Sequence, residues 1–178
     1  MNHTDHVNLI HAAIPNSGGV WADFGAGGGA FTLALAECIG ASGTIYAIDQ
    51  DSHALRQNQQ AVASQFPSVE THYLTADFTK PLTLPPLDGL VAANTLHFHR
   101  HKEPILHQLI SYLKPGGHFI IVEYNIDNGN QWVPYPFTYF TWAKLAASVG
   151  LADTHQLALR PSRFLHEIYS AASIKPLA

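Results

Sequence analysis

The chain has 178 residues, 47% of them hydrophobic and only 12% charged, with a net charge of −4. That length fits one domain with a good core. Its nine Lys and Arg are scattered singly, with no basic stripe to neutralise phosphates, which argues against nucleic acid as a partner. Cys38 is the only cysteine, so no disulfide can form within the chain, and a buried, inert thiol is expected there. No apolar run approaches the length of a membrane span, and the first fifteen residues lack the basic start and apolar core of a secretory signal. A soluble, cytoplasmic protein with no membrane partner is expected.

In chain order, residues 4–14 place Val7, Ile10, His11 and Ile14 on one helical stripe, with Thr4 or Asp5 able to cap its start. Pro15-Asn16-Ser17-Gly18-Gly19 then breaks the helix. A short apolar strand, Val20 to Phe24, runs into Gly25, Gly27 and Gly29, and a helix begins at Ala30. Glycine turns of this kind take positive φ and let backbone N–H groups approach a ligand, so the unit reads as a nucleotide cradle. Asp23 lies at the strand's carboxyl end, where open α/β sheets bind ligands. The letters also nearly fit G-x-G-x-x-G/A, with Ala30 last, so a dinucleotide fold remains an alternative, as does a plain strand-to-helix turn.

A second strand, Thr44 to Ile48, ends in Asp49-Gln50-Asp51. Asp49 falls at the distance from the glycines where a carboxylate reaches ribose hydroxyls, while Asp51 and Ser52 are better placed to cap the next helix, Ser52 to Gln65. Val69 to Thr75 and Leu87 to Ala93 read as the third and fourth strands, the latter running out into Asn94. A helix over 102–113 ends at Lys114-Pro115-Gly116-Gly117, and His118 to Tyr124 is the fifth strand. After an irregular loop from Asp127 to Pro136 come a helix from Tyr139 to Val149 and two strand-like runs, Leu151 to Leu159 and Phe164 to Ala171. The short joint between these runs, Arg160-Pro161-Ser162-Arg163, makes them antiparallel. Alternating strands and helices predict an α/β, doubly wound, mostly parallel sheet with helices on both faces.

The order of these features resembles the class I S-adenosylmethionine-dependent methyltransferases over essentially the whole chain. Asp23-Phe24-Gly25-Ala26-Gly27-Gly28-Gly29 matches the family's first motif, an acid, a spacer and alternating glycines. The resemblance implies a seven-stranded Rossmann-like sheet with a C-terminal antiparallel hairpin, and S-adenosylmethionine as cofactor. It also implies one domain over 1–178, with an N-terminal helix over 1–15, a cofactor-binding half over 20–124 and an acceptor-side half over 125–178. Carried over position by position, the cofactor site is Asp23, Gly25, Ala26, Gly27 and Gly29, then Asp49 with Gln50 at the ribose. Asp77 and Phe78 look like the adenine-contacting segment, and Asn94 falls beside the methionine part. Thr95-Leu96-His97-Phe98-His99 and Ala146-Ala147-Ser148-Val149-Gly150-Leu151 look most like the ubiquinone/menaquinone-biosynthesis-like, small-molecule branch. The Asn/Asp-Pro-Pro-Tyr cradle of amide and adenine methylases is missing after the fourth strand, as is the acidic metal cluster of catechol-type enzymes.

The expected reaction is methyl transfer to a small, partly apolar acceptor. The alternatives are a non-catalytic S-adenosylmethionine-binding partner subunit and a dinucleotide-dependent oxidoreductase. Transfer from a sulfonium depends on alignment and removal of water, and a base is needed only where the acceptor sheds a proton early. His97 is the first candidate for that base, ahead of His99, Glu123 and Tyr135. His97, His99 and His101 alternate, but no nearby Cys or well-spaced acid completes a metal site, so none is expected. Trp132 and Tyr135, in a loop stiffened by Pro134 and Pro136, are expected to wall the acceptor pocket. Of the following aromatics, Phe140 or Trp142 is expected in the core.

Overall fold

A computed structural model describes residues 1–162 and 164–177. The first helix, α1 (His3–Ile10), starts one step before the expected caps. Asn2 is its N-cap, accepting from Asp5 N at 2.9 Å, while the Asp5 carboxylate accepts from Asn2 N at 3.0 Å. Asp5 is therefore the reciprocal member of a capping box rather than the cap itself. His11, expected on the apolar stripe, is exposed. The α-helix gives way at Ile10 to a tighter 3-10 turn over His11–Ala13, which changes the angular phase of the side chains.

There follow β1 (Gly19–Phe24), α2 (Ala30–Ile39), β2 (Gly43–Asp49), α3 (Ser52–Gln65), β3 (Glu70–Thr75) and β4 (Leu87–Ala93). The second half holds α4 (Glu103–Tyr112), β5 (Leu113–Tyr124), α5 (Tyr139–Ser148), β6 (Ala152–Pro161) and β7 (Glu167–Ile174). They build one seven-stranded sheet in the order β3-β2-β1-β4-β5-β7-β6. Strands β1 to β5 run parallel, and β7 lies antiparallel to both β5 and β6.

Alternation along β1 divides the core between the two faces of the sheet. Ala22 and Phe24 pack with Leu106, Leu109 and Trp142 of α4 and α5. Trp21 faces the other way, toward Leu9 and Ile10 of α1 and Leu35 and Ile39 of α2. Trp142 is the aromatic that enters the core, at 0% exposure, whereas Phe140 is 77% exposed. Half-buried Cys38 packs against the α1–α2 side, and burial pushes its thiol up to about 11. No helix of the described residues is long and apolar enough to cross a membrane.

Among the boundaries that differ from expectation, two strand starts in the second half have clear local causes. Strand β5 begins at Leu113, because Lys114 to Gly117 bulge out of the ladder between the Leu87–Leu113 and Gly89–His118 pairs. The bulge is held by Lys114 Nζ, which donates to Asp88 Oδ1 at 2.6 Å. Strand β7 starts at Glu167 rather than Phe164. The Ser162 hydroxyl accepts from Phe164 N at 3.1 Å and Leu165 N at 3.4 Å, drawing those donors into the turn and away from the ladder. Arg163, placed in the joint from the sequence, lies outside the described residues.

Candidate active site

After β1 the chain winds outward to β2 and β3, then returns to β4 on the other flank of β1. Connections leaving β1 and β4 therefore part at their carboxyl ends and leave a crevice, the usual ligand position in such sheets. Gly25, Gly27 and Gly29 have φ of +78°, +48° and +98° there. Gly25 N and Ala26 N both donate to Ile48 O, at 2.8 and 3.0 Å, folding the turn back across β2. A Cβ on Gly25 would collide with Thr95, and one on Gly29 would lie 2.7 Å from Asn58 Oδ1. On Gly27 it would meet nothing nearer than Gly25 O at 4.0 Å, so this part of the backbone faces open space.

Two cavities, of about 460 and about 640 Å³, meet at this turn and share Gly25 and Asn94. The first is lined by Asp49, Gln50, Asp77 and Phe78, joined by Thr95, Phe98 and His99. The second is lined by Asp23, Ala26 and Gly27, with His3 and His6 of α1 at its rim. Nine of the ten cofactor-site residues expected from sequence thus line these two adjoining cavities. Gly29 lines neither cavity; it backs onto Asn58 and starts α2. A separate hollow of about 280 Å³ around Trp21, Asp88 and His118 sits at the opposite sheet edge.

Asp49 Oδ2 accepts from Gly27 N at 2.8 Å and its Oδ1 from Asp51 N at 2.9 Å, fixing the carboxylate across the turn. The cap of α3 is Asp51, which accepts from His53 N and Ala54 N, so Asp49 is spared that task. Asp77 accepts from Thr79 N and Thr79 Oγ1 at 3.0 and 2.6 Å, and these bonds hold its carboxyl below the usual range. Phe78 stands edge-on to Phe24 and His99, with centroids 6.1 and 5.6 Å away.

Asp23 is 1% exposed and accepts from Thr32 Oγ1 at 2.7 Å, which in turn accepts from Asn58 Nδ2 at 2.8 Å. Burial pushes the Asp23 carboxyl up to about 7. Asn94 has φ of +51°, and its Oδ1 is sealed from solvent with no partner among the described residues. A buried acceptor with no donor costs free energy, and non-glycine residues held at positive φ gather at functional sites. Donors on a bound ligand would satisfy it.

A family model described as a methyltransferase domain matches residues 15–155. The chain belongs to this family. The dinucleotide oxidoreductase alternative falls with that match. No curated protein sequence matches the chain significantly. Among solved structures, the YcgJ protein of Bacillus subtilis is similar with a TM-score of 0.76 at 11% identity, covering 99% of this chain and 100% of its own. A phosphoethanolamine N-methyltransferase of Haemonchus contortus, solved with phosphomonomethylethanolamine and S-adenosylhomocysteine, aligns at 0.79 and 15% identity over 97% of this chain and 52% of its own. Magnesium protoporphyrin IX methyltransferase of Synechocystis, solved with S-adenosylmethionine, aligns at 0.73 and 16% identity over 97% and 79%. At these identities the likeness concerns the fold.

In this methyltransferase the segment after β4 forms a 3-10 turn, Leu96–Phe98. His97 lines neither cavity directly; its residue is 3% exposed and its Nδ1 lies 2.7 Å from Glu123 Oε2. Glu123, 0% exposed at the end of β5, also accepts through Oε1 from Leu96 N and His97 N at 3.0 and 3.1 Å. His99 turns instead toward Phe78, and burial lowers its pKa. The described residues contain no cluster of three metal-ligating side chains.

The loop after β5 is fastened to the same turn. Tyr135 N donates to His97 O at 2.9 Å, and Lys102 Nζ donates to His99 O and Tyr135 O, both at 2.9 Å. Tyr135 lines a third groove of about 730 Å³ beside Lys102, Asp127 and Phe137. Trp132 is 65% exposed and lines none of these cavities. Sequence reasoning missed Thr95, Phe98 and the α1 histidines as lining residues. It also missed Thr32 and Asn58, whose support of Asp23 becomes visible only when α2 and α3 pack together.

Proposed function

We propose that this methyltransferase transfers a methyl group from S-adenosylmethionine to a small, partly apolar acceptor. The observation that carries the reading is the pair of cavities adjoining at Gly25 and Asn94, with buried Asp23 in one and Asp49, Asp77 and Phe78 in the other. S-adenosylmethionine supplies an electrophilic methyl on a sulfonium and has a polar group at each end to match such a cleft.

Asp49 is preset to accept from a ribose diol, its carboxylate being anchored by backbone donors. Asp77 is suited to an exocyclic amine, with Phe78 beside the ring, while Gln50 is exposed at the edge of the same cavity. Asp23 and the unpartnered Oδ1 of Asn94 suit the amino-acid end, and Gly25, Ala26 and Gly27 provide backbone close to the ligand. Gly29 supports the turn from behind. On the acceptor side, Tyr135 gives an aromatic wall close to the turn that carries His97, and Trp132 is available as a rim contact.

Calorimetry with S-adenosylhomocysteine and NAD tests the reading. Binding of S-adenosylhomocysteine with far weaker NAD binding is expected. Equal or tighter NAD binding would overturn it, and binding without turnover of S-adenosylmethionine would favour a non-catalytic partner subunit.

A further inference from the structure

The groove of about 730 Å³ between residues 100–104 and the loop after β5 is built around Lys102. Lys102 is the N-cap of α4, the end of a helix where the backbone dipole opposes a positive charge. Lys175 makes the contrast. Its Nζ donates to Ile110 O and Leu113 O at 3.1 and 2.7 Å, at the other end of the same helix, where a cation is favoured. Lys102 Nζ donates to His99 O and Tyr135 O, both at 2.9 Å, which uses two of its three protons. A neutral amide would serve for those bonds alone, as Gln108 Nε2 does in joining Phe78 O and Lys80 O at 2.7 and 2.8 Å. The ammonium forms no ion pair with a carboxylate among the described residues. Burial lowers its pKa, with the Glu123 carboxylate opposing. One proton and the charge thus remain for a ligand in the groove.

We propose that this groove binds a small apolar molecule carrying a single carboxylate, which Lys102 holds. The site shares no lining residue with the two cavities at the glycine turn and does not depend on the methyl-transfer reading. Its volume lies in the range of small-molecule pockets. Tyr135, which is 41% exposed, receives the apolar body together with Pro134 and Leu145. Phe137 lies against the ammonium, its ring centroid 4.7 Å from Nζ. Exposed Arg100 adds a second cation to the lining. The acids of the groove limit the charge that it accepts. Glu103 and Asp127 line it too, and Thr138 N, Thr138 Oγ1 and Thr141 Oγ1 keep Asp127 ionised by donating to it at 3.0, 3.2 and 3.0 Å. One negative charge on the ligand meets Lys102, whereas a second would face these carboxylates.

The probe is 2-naphthoate. Calorimetry compares it with 2-naphthylmethanol, which carries the same rings without the charge, and with 2-naphthyl phosphate at pH 8, where the phosphate is a dianion. The carboxylate should bind at least about tenfold more tightly than the alcohol, because it alone makes a charge-assisted hydrogen bond to the ammonium. The phosphate should bind more weakly than the carboxylate. Backbone amide signals of Tyr135, Thr141 and Leu145 should shift as 2-naphthoate is added, while those of Gly27 and Asp49 stay in place. No binding of 2-naphthoate at millimolar concentration, equal affinity for acid and alcohol, tighter binding of the phosphate, or shifts centred on Gly27 and Asp49 overturns the proposal.

Two variants assign the charge. Lys102→Gln keeps a side-chain donor and removes the cation, so it should lower 2-naphthoate affinity at least about tenfold and leave 2-naphthylmethanol affinity nearly unchanged. Glu103→Gln alters an exposed side chain that the fold does not need and removes an opposing charge. It should raise the affinity for 2-naphthoate, and that for 2-naphthyl phosphate by a larger factor. A lysine that served only to fasten the loop would lower the melting temperature when replaced and would not discriminate acid from alcohol. Undiminished 2-naphthoate binding in folded Lys102→Gln, or no gain in Glu103→Gln, overturns the proposal.

Discussion

Asp49 shows how one side chain can belong to both the fold and the site. Its two oxygens tie Gly27 N and Asp51 N, so the turn is held in place before any ligand arrives. Asp49→Ala should reduce S-adenosylhomocysteine affinity at least about tenfold, because charge-assisted hydrogen bonds are worth roughly 1.5–3 kcal/mol each. Only a few degrees of melting temperature should go with it. Calorimetry and a melting curve on the same sample check both, and an unchanged dissociation constant would reduce Asp49 to a turn fastener. Asp23 makes a prediction about pH. Its folded value of about 7 lies above the ordinary 3.8, so the fold favours the protonated form. Its contribution is fully present below 3.8 and is lost as pH rises toward 7, with a slope of at most about 1.4 kcal/mol per pH unit. Urea titrations at pH 5 and pH 8 should show a smaller fall for Asp23→Asn than for the wild-type protein. Equal falls would refute the assignment. Neither the Asp23–Thr32–Asn58 chain nor the His97–Glu123 contact can be read from spacing, since the partners lie 9 to 26 residues apart on different elements.

At the scale of elements, the sequence was most legible where periodicity and turn chemistry agreed, as in β1, the glycine turn and α2. The positions of Asp23 and Asp49, at the carboxyl ends of β1 and β2, were equally legible because each sits at or next to the last residue of its strand. The misplacements have local causes. Ser162 diverts the donors that would have begun β7, and the 3-10 turn after Ile10 rotates His11 into solvent. The loop after β5 mixes two kinds of aromatic that composition cannot separate. Val133 and Phe137 are each 2% exposed and hold the loop down, whereas Tyr135 and Trp132 are 41% and 65% exposed. Phe137→Ala should therefore cost about 3–5 kcal/mol of stability. Trp132→Ala should stay within about 0.5 kcal/mol. Melting temperatures of the two variants, with cofactor affinity measured alongside, check the division. A large loss in Trp132→Ala would show that this side chain is a packing residue.

Across the whole molecule the sheet is a rigid frame, and the cleft lies where its two windings part. A ligand that binds only the folded chain should stabilise all of it. At a hundredfold excess over its dissociation constant, S-adenosylhomocysteine should add about 2.7 kcal/mol, equivalent to roughly 5–10 °C in melting temperature for a chain of this size. Differential scanning calorimetry measures this directly, and NAD at the same concentration should leave the transition nearly where it was.

The seating of β7 between β5 and β6 also governs the order in which the protein can be made. Strands β2 to β5 each join the edge of a strand made earlier, but β7 must seat between β5 and β6, which both leave the ribosome before it, and β6 has no other partner. Until about residue 174 has emerged, β5 has a bare edge beside β4, and Glu123 lies on that unfinished strand. A nascent chain in this state exposes an unpaired edge, which favours association with other chains. Ribosome-bound chains stopped at Pro161 should be readily cleaved by protease and should fail to retain S-adenosylhomocysteine. Chains extended past Ile174 and clear of the exit tunnel should acquire both protection and binding in a single step.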